Sequence, residues 1–538
     1  MLAAQLNGSK RAEPYEVASV REIPSVSATE TVQGYFTVEN GALHISTAID
    51  TAPPSAKARR LQTQGSLSAG ILPLIDTLAH ELAPDAKAFS TRNENAAREY
   101  FQAMLTPAAS ERIAHLELAV KADPNFAPAY LARLQIALGS GDPSAARSIL
   151  AEAQSHAANF SELDRARLDV VQANADGDTN KRAEALARVA KLLPSDVEVW
   201  QTLASLYMAR KDYAKAVQAY QAAHALRPED IPLINSLGYA QAYAGDLNGA
   251  VKTFSDYRRL APQDANALDS LGEIHFLTGR FSDAERYFLE AEKMNTAALG
   301  GVEFYRAGLS RYLTGDAKGA NDLFQQFAAL RAKGSGAALL PVQQAVWKYQ
   351  TGDTKGAIAD LRRVVDAKET SPDPAAAGHG QLAIWLLESG DAAGARQHAA
   401  SALRLARSPA SRNFAGICAF MASPDVSPAE WKQRVERALP GAAQAGARNQ
   451  LLGYALLLNR HYPEAIEVWR QSYESATLET LSEARVMLAS AYALDGQPGE
   501  AAKLLQSGIL PPRNPDPNLN TMMFARYAEL RAVTKKSQ

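Results

Sequence analysis

The stretch DVEVWQTLASLYMARKDYAKAVQAYQAAHALRPED, residues 196–230, reads as two amphipathic helices facing each other across a turn at Lys211-Asp212, and it closes on Pro228. Trp200, Leu203, Ala204 and Tyr207 lie on one face of the first helix, and Ala216, Tyr220 and Ala223 on one face of the second. A helical hairpin this small cannot bury its own apolar face. The stretch predicts neighbours of the same build, each covering the next.

The rest of the chain supplies them. Turn residues recur as Gly141, Gly177, Lys211, Gly245, Gly279, Gly315, Gly352, Gly390, Arg460 and Gly496, mostly 34 to 38 residues apart. The long step from Gly390 to Arg460 holds Ser423-Pro424-Asp425 near its midpoint, the expected turn of an irregular unit. Five residues after each turn stand Ala146, Arg182, Ala216, Ala250, Ala284, Ala320, Ala357, Ala395, Ala465 and Ala501. So small a side chain is required only where two helices approach closely. Four residues further come Leu150, Leu186, Tyr220, Phe254, Phe288, Phe324, Leu361, Ala399, Trp469 and Leu505, mostly bulky and on the same helical face.

Trp200, Leu203, Ala204, Tyr207, Ala216, Tyr220, Ala223 and Pro228 stand at the W-L-G-Y-A-F-A-P spacing that this chain shares with the tetratricopeptide repeat family, which it resembles. Leu237, Gly238, Ala250, Phe254 and Pro262 continue the pattern, as do Leu271, Gly272, Ala284, Phe288 and Ala291. The match is strongest from 127 to 334 and looser afterwards. The expected fold is mainly α, with about twelve helical hairpins over 93–515 and the degenerate pairs at the start and at 410–445. The resemblance implies a right-handed solenoid whose first helices line a concave groove, and residues 516–538 read as a C-terminal capping helix and tail.

Residues 1–88 follow a different pattern. In GYFTVENGALHISTAID, residues 34–50, Phe36 and Val38 alternate up to Asn40-Gly41, and Leu43, Ile45 and Ile49 alternate after it, which predicts a β-hairpin. A further strand is expected at 15–23, APPSAKARRLQTQGS (52–66) reads as a loop, and Ile71, Leu74, Ile75, Leu78 and Leu82 line one face of a helix. This order of hairpin, loop and helix before the repeats is similar to the TolB-like α/β domain of bacterial signalling proteins. That resemblance implies a segment upstream of MLAAQL, itself the expected end of a helix. It also keeps a second reading in view: the regulatory half of a kinase- or cyclase-associated signalling protein separated from its output module.

Composition narrows the chemistry. The 56 Lys and Arg against 58 Asp and Glu leave a net charge of −2, so no global field draws nucleic acid or an anionic membrane. Cys418 is the only cysteine, which removes intrachain disulfides and cysteine-based zinc sites. No apolar run approaches the ~20 residues needed to cross a bilayer. A cytoplasmic location is the default expectation, with a periplasmic one if an upstream signal or anchor precedes the sequence.

Candidate sites give way to structural readings. Asp176, Asp178 and Asn180 have calcium-loop spacing, but Lys181 stands where glycine is needed and Ala187 where a bidentate glutamate is needed. His275 replaces the repeat tyrosine and is expected in the core. No HExxH, nucleophile elbow or phosphate loop occurs, so no catalytic residue, cofactor or metal is expected. The basic run Lys57-Ala58-Arg59-Arg60 reads as solvated charge.

What remains is binding. The expected partner is a protein or peptide, held as a peptide or helix in the groove of a non-catalytic scaffold. In the repeat geometry that the resemblance implies, the groove-facing positions are Gln201, Ser205, Asn235, Tyr239, Tyr243, Asp269, Glu273, Phe276, Tyr305, Leu309 and Tyr312, with Arg306 beside them. Only Asn235 and Arg306 partly match the lysine, asparagine and arginine with which chaperone-binding relatives hold a peptide carboxylate. Asp269 and Glu273 would repel one. The expected groove is therefore aromatic with an acidic floor, suited to an apolar peptide carrying a basic or neutral residue.

Overall fold

The computed structural model describes residues 2, 6, 30–51, 59–299, 301–334, 336–367, 370–423, 426–440, 445–476, 478–506 and 508–536. The strand expected at 15–23, Lys57 and Pro424-Asp425 lie outside them. The chain divides into two compact units, Met1–Leu233 and Ile234–Gln538.

The first unit opens on a three-stranded antiparallel sheet in the order β1-β2-β3: β1 (Glu30–Glu39), β2 (Ala42–Thr51) and β3 (Arg59–Ser66). Asn40 at φ 49° and Gly41 at φ 78° form the connecting turn, the paired left-handed conformation whose twist matches that of the strands. Phe36 sits opposite Ile45 and Val38 opposite Leu43. The second half of the expected loop is a correction: Arg59–Ser66 pairs along β2, with Thr63 opposite Ile45 and Gly65 opposite Leu43. Its exposed face carries Arg60, Gln62 and Gln64, so its alternation is polar against small rather than polar against bulky apolar. Helix α1 (Leu72–Leu82) buries Leu74, Ile75 and Leu78 against Leu43 and Ile45. Gly65 lets it approach closely, since a Cβ there would lie 3.0 Å from Leu74 Cδ2. On edge strand β1, Val32, Phe36 and Val38 share the face of the buried β2 residues yet stay 42, 67 and 52% exposed.

Four hairpins complete this unit: α2 (Glu94–Leu105) with α3 (Ala109–Ala122), α4 (Ala127–Gly139) with α5 (Pro143–His156), α6 (Glu162–Ala175) with α7 (Thr179–Leu192), and α8 (Val197–Ala209) with α9 (Tyr213–Leu226). Helix α10 (Ile231–Tyr243) begins at the unit boundary and pairs with α11 (Leu247–Leu260). The second unit continues with α12 (Ala265–Leu277) and α13 (Phe281–Leu299), α14 (Val302–Thr314) and α15 (Ala317–Arg331), and α16 (Leu340–Gln350) and α17 (Thr354–Asp366). Then follow α18 (Pro372–Ser389) and α19 (Ala392–Leu405), α20 (Pro409–Met421) and α21 (Pro428–Ala438), α22 (Ala445–Leu458) and α23 (Tyr462–Glu474), and α24 (Leu478–Leu494) and α25 (Pro498–Leu504). A last helix, α26 (Thr521–Lys536), stands outside the pairs. The fold is mainly α, in twelve successive hairpins among the described residues.

The repeating turn has a backbone cause. All ten turn residues take positive φ, from 61° at Lys211 to 106° at Gly315, so each first helix ends on a left-handed residue. Lys211 and Arg460 fill the same role without being glycine. The next residue is usually an aspartate that caps the second helix: Asp142, Asp178, Asp212, Asp246, Asp316, Asp353 and Asp391 each accept a backbone N–H of the first turn. Asp178 is one of these caps, which accounts for the calcium-like spacing.

The small-large pattern sets the packing. Ala216, Ala250, Ala284, Ala320, Ala357, Ala395 and Ala465 are fully buried. The bulky residues four positions on press against glycines of the preceding helix: a Cβ on Gly238 would meet Phe254 at 2.7 Å, one on Gly272 would meet Phe288 at 2.4 Å, and one on Gly453 would meet Trp469 at 2.6 Å. His275 is buried and stacked on Tyr287 at 5.2 Å, and burial lowers its pKa. Cys418 is buried too, and burial pushes its thiol up, which removes the thiolate on which reactivity depends.

Candidate partner-binding face

The groove positions of the first unit are Gln201, half-buried, and Ser205, exposed with its hydroxyl 3.3 Å from that of Tyr220. In the second unit, Asn235 and Tyr243 are half-buried on α10, and Asn235 Oδ1 accepts from Asn266 Nδ2 at 3.2 Å. These four positions keep accessible surface.

The other predicted groove residues are drawn into the protein. Phe276, Tyr305 and Leu309 are fully buried in the main core of the second unit, and Tyr305 donates to Gln350 Oε1 at 2.8 Å. Tyr239 packs edge-on against Phe254 at 5.1 Å, and its hydroxyl reaches Glu273 Oε2 at 3.2 Å and Ser270 Oγ at 3.1 Å. Tyr312 donates to the Thr351 carbonyl at 2.9 Å and packs against Phe524 at 6.4 Å. In this arrangement Phe276, Tyr305 and Leu309 are closed to an outside ligand, whereas Tyr239 and Tyr312 stay half-buried with their hydroxyls already engaged.

Asp269, Glu273 and Arg306 do come together, joined by Glu303, which the sequence reading missed. The Arg306 guanidinium pairs with Asp269, with Glu273 at 3.2 Å and with Glu303 at 3.3 Å, while itself only 4% exposed. Burial opposes its charge, but Asp269, Glu303 and Glu273 more than offset that and raise its pKa. The Glu273 carboxyl is raised by burial, against the pull of Arg306 and of Arg513. The nearby basic residue is thus one of the chain's own, from the segment after the last hairpin.

Burial pushes the Glu303 carboxyl up from 4.5 to about 9, against Arg306. Between these values the native chain holds a proton that the unfolded chain has released. Its contribution to stability is therefore full below about pH 4.5 and is lost as pH rises through about 9. The urea midpoint of the second unit is expected to fall between those limits, and Glu303→Gln should flatten the fall. An equally steep fall in the variant would contradict the assignment.

What closes the face is residues 508–536. An added Cβ on Gly508 would meet the Phe276 carbonyl oxygen at 2.2 Å, so the chain passes there backbone against backbone. Arg485 Nη1 donates to the Gly508 carbonyl at 2.8 Å, and Ser482 Oγ accepts from Leu510 N–H at 2.7 Å. Gln343 Nε2 donates to Asp516 at 2.7 Å, Gln381 Oε1 accepts from Asn518 N–H at 3.0 Å, and Gln381 Nε2 donates to Thr521 Oγ1 at 2.7 Å. Tyr454 donates to Asn520 Oδ1 at 2.9 Å, and Arg526 Nε meets Glu388 at 2.7 Å. Met522, Met523, Phe524 and Tyr527 are buried in the same core as Phe276, Tyr305 and Leu309.

The residues that grip this segment sit on α16, α18, α22 and α24, first helices all. Nothing in the four best-matching repeats points to them; the same register, carried further along the chain, reaches them. Counted back from the turns at Gly315, Gly352 and Gly390, Arg306, Gln343 and Gln381 occupy one and the same position.

Sequence profiles described as tetratricopeptide repeat match residues 197–230 and 235–298. Among solved structures, a MamA protein is 18% identical with a TM-score of 0.29, over 32% of this chain and 92% of that one. YrrB, described as "a TPR protein with an unusual peptide-binding site", is 14% identical with a TM-score of 0.26, over 31% of this chain and 86% of that one. A MamA fragment from Desulfovibrio magneticus RS-1 is 18% identical with a TM-score of 0.28, over 32% of this chain and 97% of that one. No curated protein matches the chain.

Proposed function

We propose that this tetratricopeptide-repeat chain is a non-catalytic scaffold that holds a partner polypeptide on the inner faces of its first helices. The observation that supports this reading is that Arg485, Ser482 and Gln381, side chains of first helices, hold main-chain groups of a segment lying outside every hairpin. Main-chain recognition accepts many sequences, and the apolar seats beneath it select among them. Among the described residues no helix is long and apolar enough to cross a membrane, and no cluster of His, Cys, Asp or Glu is built to hold a metal ion.

The test is site-specific photo-crosslinking in cells. A benzophenone amino acid at Ser205 or at Tyr243 samples the accessible groove positions, and one at Glu184 or Lys252 samples exposed positions on second helices. Discrete protein adducts are expected at the first pair at several times the yield of the second. Equal yields at all four positions would overturn the reading.

A further inference from the structure

We propose that residues 508–533 are a tethered ligand of the second unit. They occupy a site that is open, when they leave it, to a polypeptide of the same build: a non-helical, proline-rich stretch running into an amphipathic helix. The external occupant is defined on the scaffold reading above, whereas the exchange itself does not depend on it.

The segment is built as a ligand is built. Pro511, Pro512, Pro515 and Pro517 keep residues 511–517 out of helix and deprive them of main-chain donors. Its free main-chain groups are then met by side chains of the repeats: Gly508 O by Arg485, Leu510 N–H by Ser482, and Asn518 N–H by Gln381. After this come the apolar anchors Met522, Met523, Phe524 and Tyr527 on α26, whose other side carries the exposed Glu529 and Val533. A stretch held by its main chain, followed by a helix that buries its apolar side, uses contacts of the kind on which peptide recognition is built.

The receiving surface is polar for a core. Gln343 and Gln381 are 0% exposed, Ser482 2% and Arg485 7%, yet each has a hydrogen-bond partner in the segment. Glutamine and arginine at such positions lose hydrogen bonds to water only while something covers them, and regain them when it departs. A permanent core gains more from leucine. Exchangeable contacts within and between chains are of this more polar kind. The charge pattern fits as well: Arg513 of the segment favours the charged form of Glu273, which shares Arg306 with Asp269.

Tethering then sets the competition. A segment joined to α25 through a few residues acts at an effective concentration on the order of millimolar, so a free peptide at about 10 μM holds only about one site in a hundred. The test uses the full-length chain and a fluorescently labelled synthetic peptide of residues 508–536, followed by anisotropy. In the chain, Gly508→Val drives a side chain into the Phe276 carbonyl, and Phe524→Ala removes an anchor that the peptide retains.

The double variant is expected to bind the peptide at least tenfold more tightly than the wild-type chain does. Equal weak binding by both, in a variant with the helical circular dichroism of the wild type, would overturn the proposal. Because that variant can lose its fold, hydrogen exchange on the wild-type chain gives a second reading. Amides of 521–533 should exchange well before those of α18 and α24, and equal protection would make the segment a fixed part of the core. Peptide entry is measured with no outside partner present. Its failure therefore sinks the exchange alone, whereas failure of crosslinking at Ser205 and Tyr243 sinks the scaffold reading.

Discussion

Replacing Arg306 by alanine is expected to lower the unfolding free energy of the second unit by about 3–5 kcal/mol, the cost of leaving Asp269 and Glu273 without their counter-charge rather than the worth of any one ion pair. Asp269, Glu273 and Glu303 all lean on this guanidinium, which is 4% exposed. Four of the five tryptophans, Trp347, Trp385, Trp431 and Trp469, belong to residues 234–538, so their fluorescence in urea reads the unit that carries the change. Adding Glu273→Gln to the alanine variant should restore about 1–2 kcal/mol, because an amide needs no counter-charge. A loss under about 1 kcal/mol would mean that the carboxylates find solvent, and that the cluster is surface rather than core.

The same cluster shows where reading the sequence stopped short. The period was legible because it is written in backbone terms: a residue of positive φ, usually with an aspartate cap, an alanine and a bulky residue after it, returns mostly every 34 to 38 residues. Lys211 and Arg460 could be placed by phase alone, and their φ values of 61° and 66° explain why the phase holds without glycine. The Asn40-Gly41 hairpin was legible for a similar local reason. Strand β3 was not, because Leu61, Thr63 and Gly65 make a weak inward face, and its pairing partner supplies the bulk.

The covered face was hidden for a different reason. The hydrogen bonds of Gln343 with Asp516 and of Gln381 with Asn518 join residues 173 and 137 positions apart, and no local pattern records such a pairing. Tyr305, Leu309 and Phe276 were placed on the inner faces by register. That register says which way a side chain points, but not what covers it. Carried past the best-matching repeats, it would have reached Gln343, Gln381 and Tyr454. Polar and hydroxyl-bearing side chains at those inner positions were the available sign that a polypeptide lies there.

The packing rule itself can be tested as a coupled pair. Phe288→Ala is expected to cost about 3–5 kcal/mol, because the ring is fully buried and its neighbours are held by two helices that cannot both collapse inward. Gly272→Ala alone should cost about 1–3 kcal/mol, because its methyl would enter the Phe288 ring at 2.4 Å and the gain in helix propensity, up to about 1 kcal/mol, is smaller than the overpacking. Together the two changes should cost less than their sum by at least about 1 kcal/mol. The new methyl then has space, and part of the cavity is filled. Gly238 with Phe254 and Gly453 with Trp469 repeat this geometry at the same separation of 16 residues, so their cycles should carry the same sign. Because each hairpin leans mainly on its neighbours, hydrogen exchange in the Phe288 variant should rise first in α10–α15 and only later in α18–α24. Additive costs would show that the glycine and the ring do not share a space. A uniform rise in exchange across the second unit would show that the hairpins open as one body rather than in series.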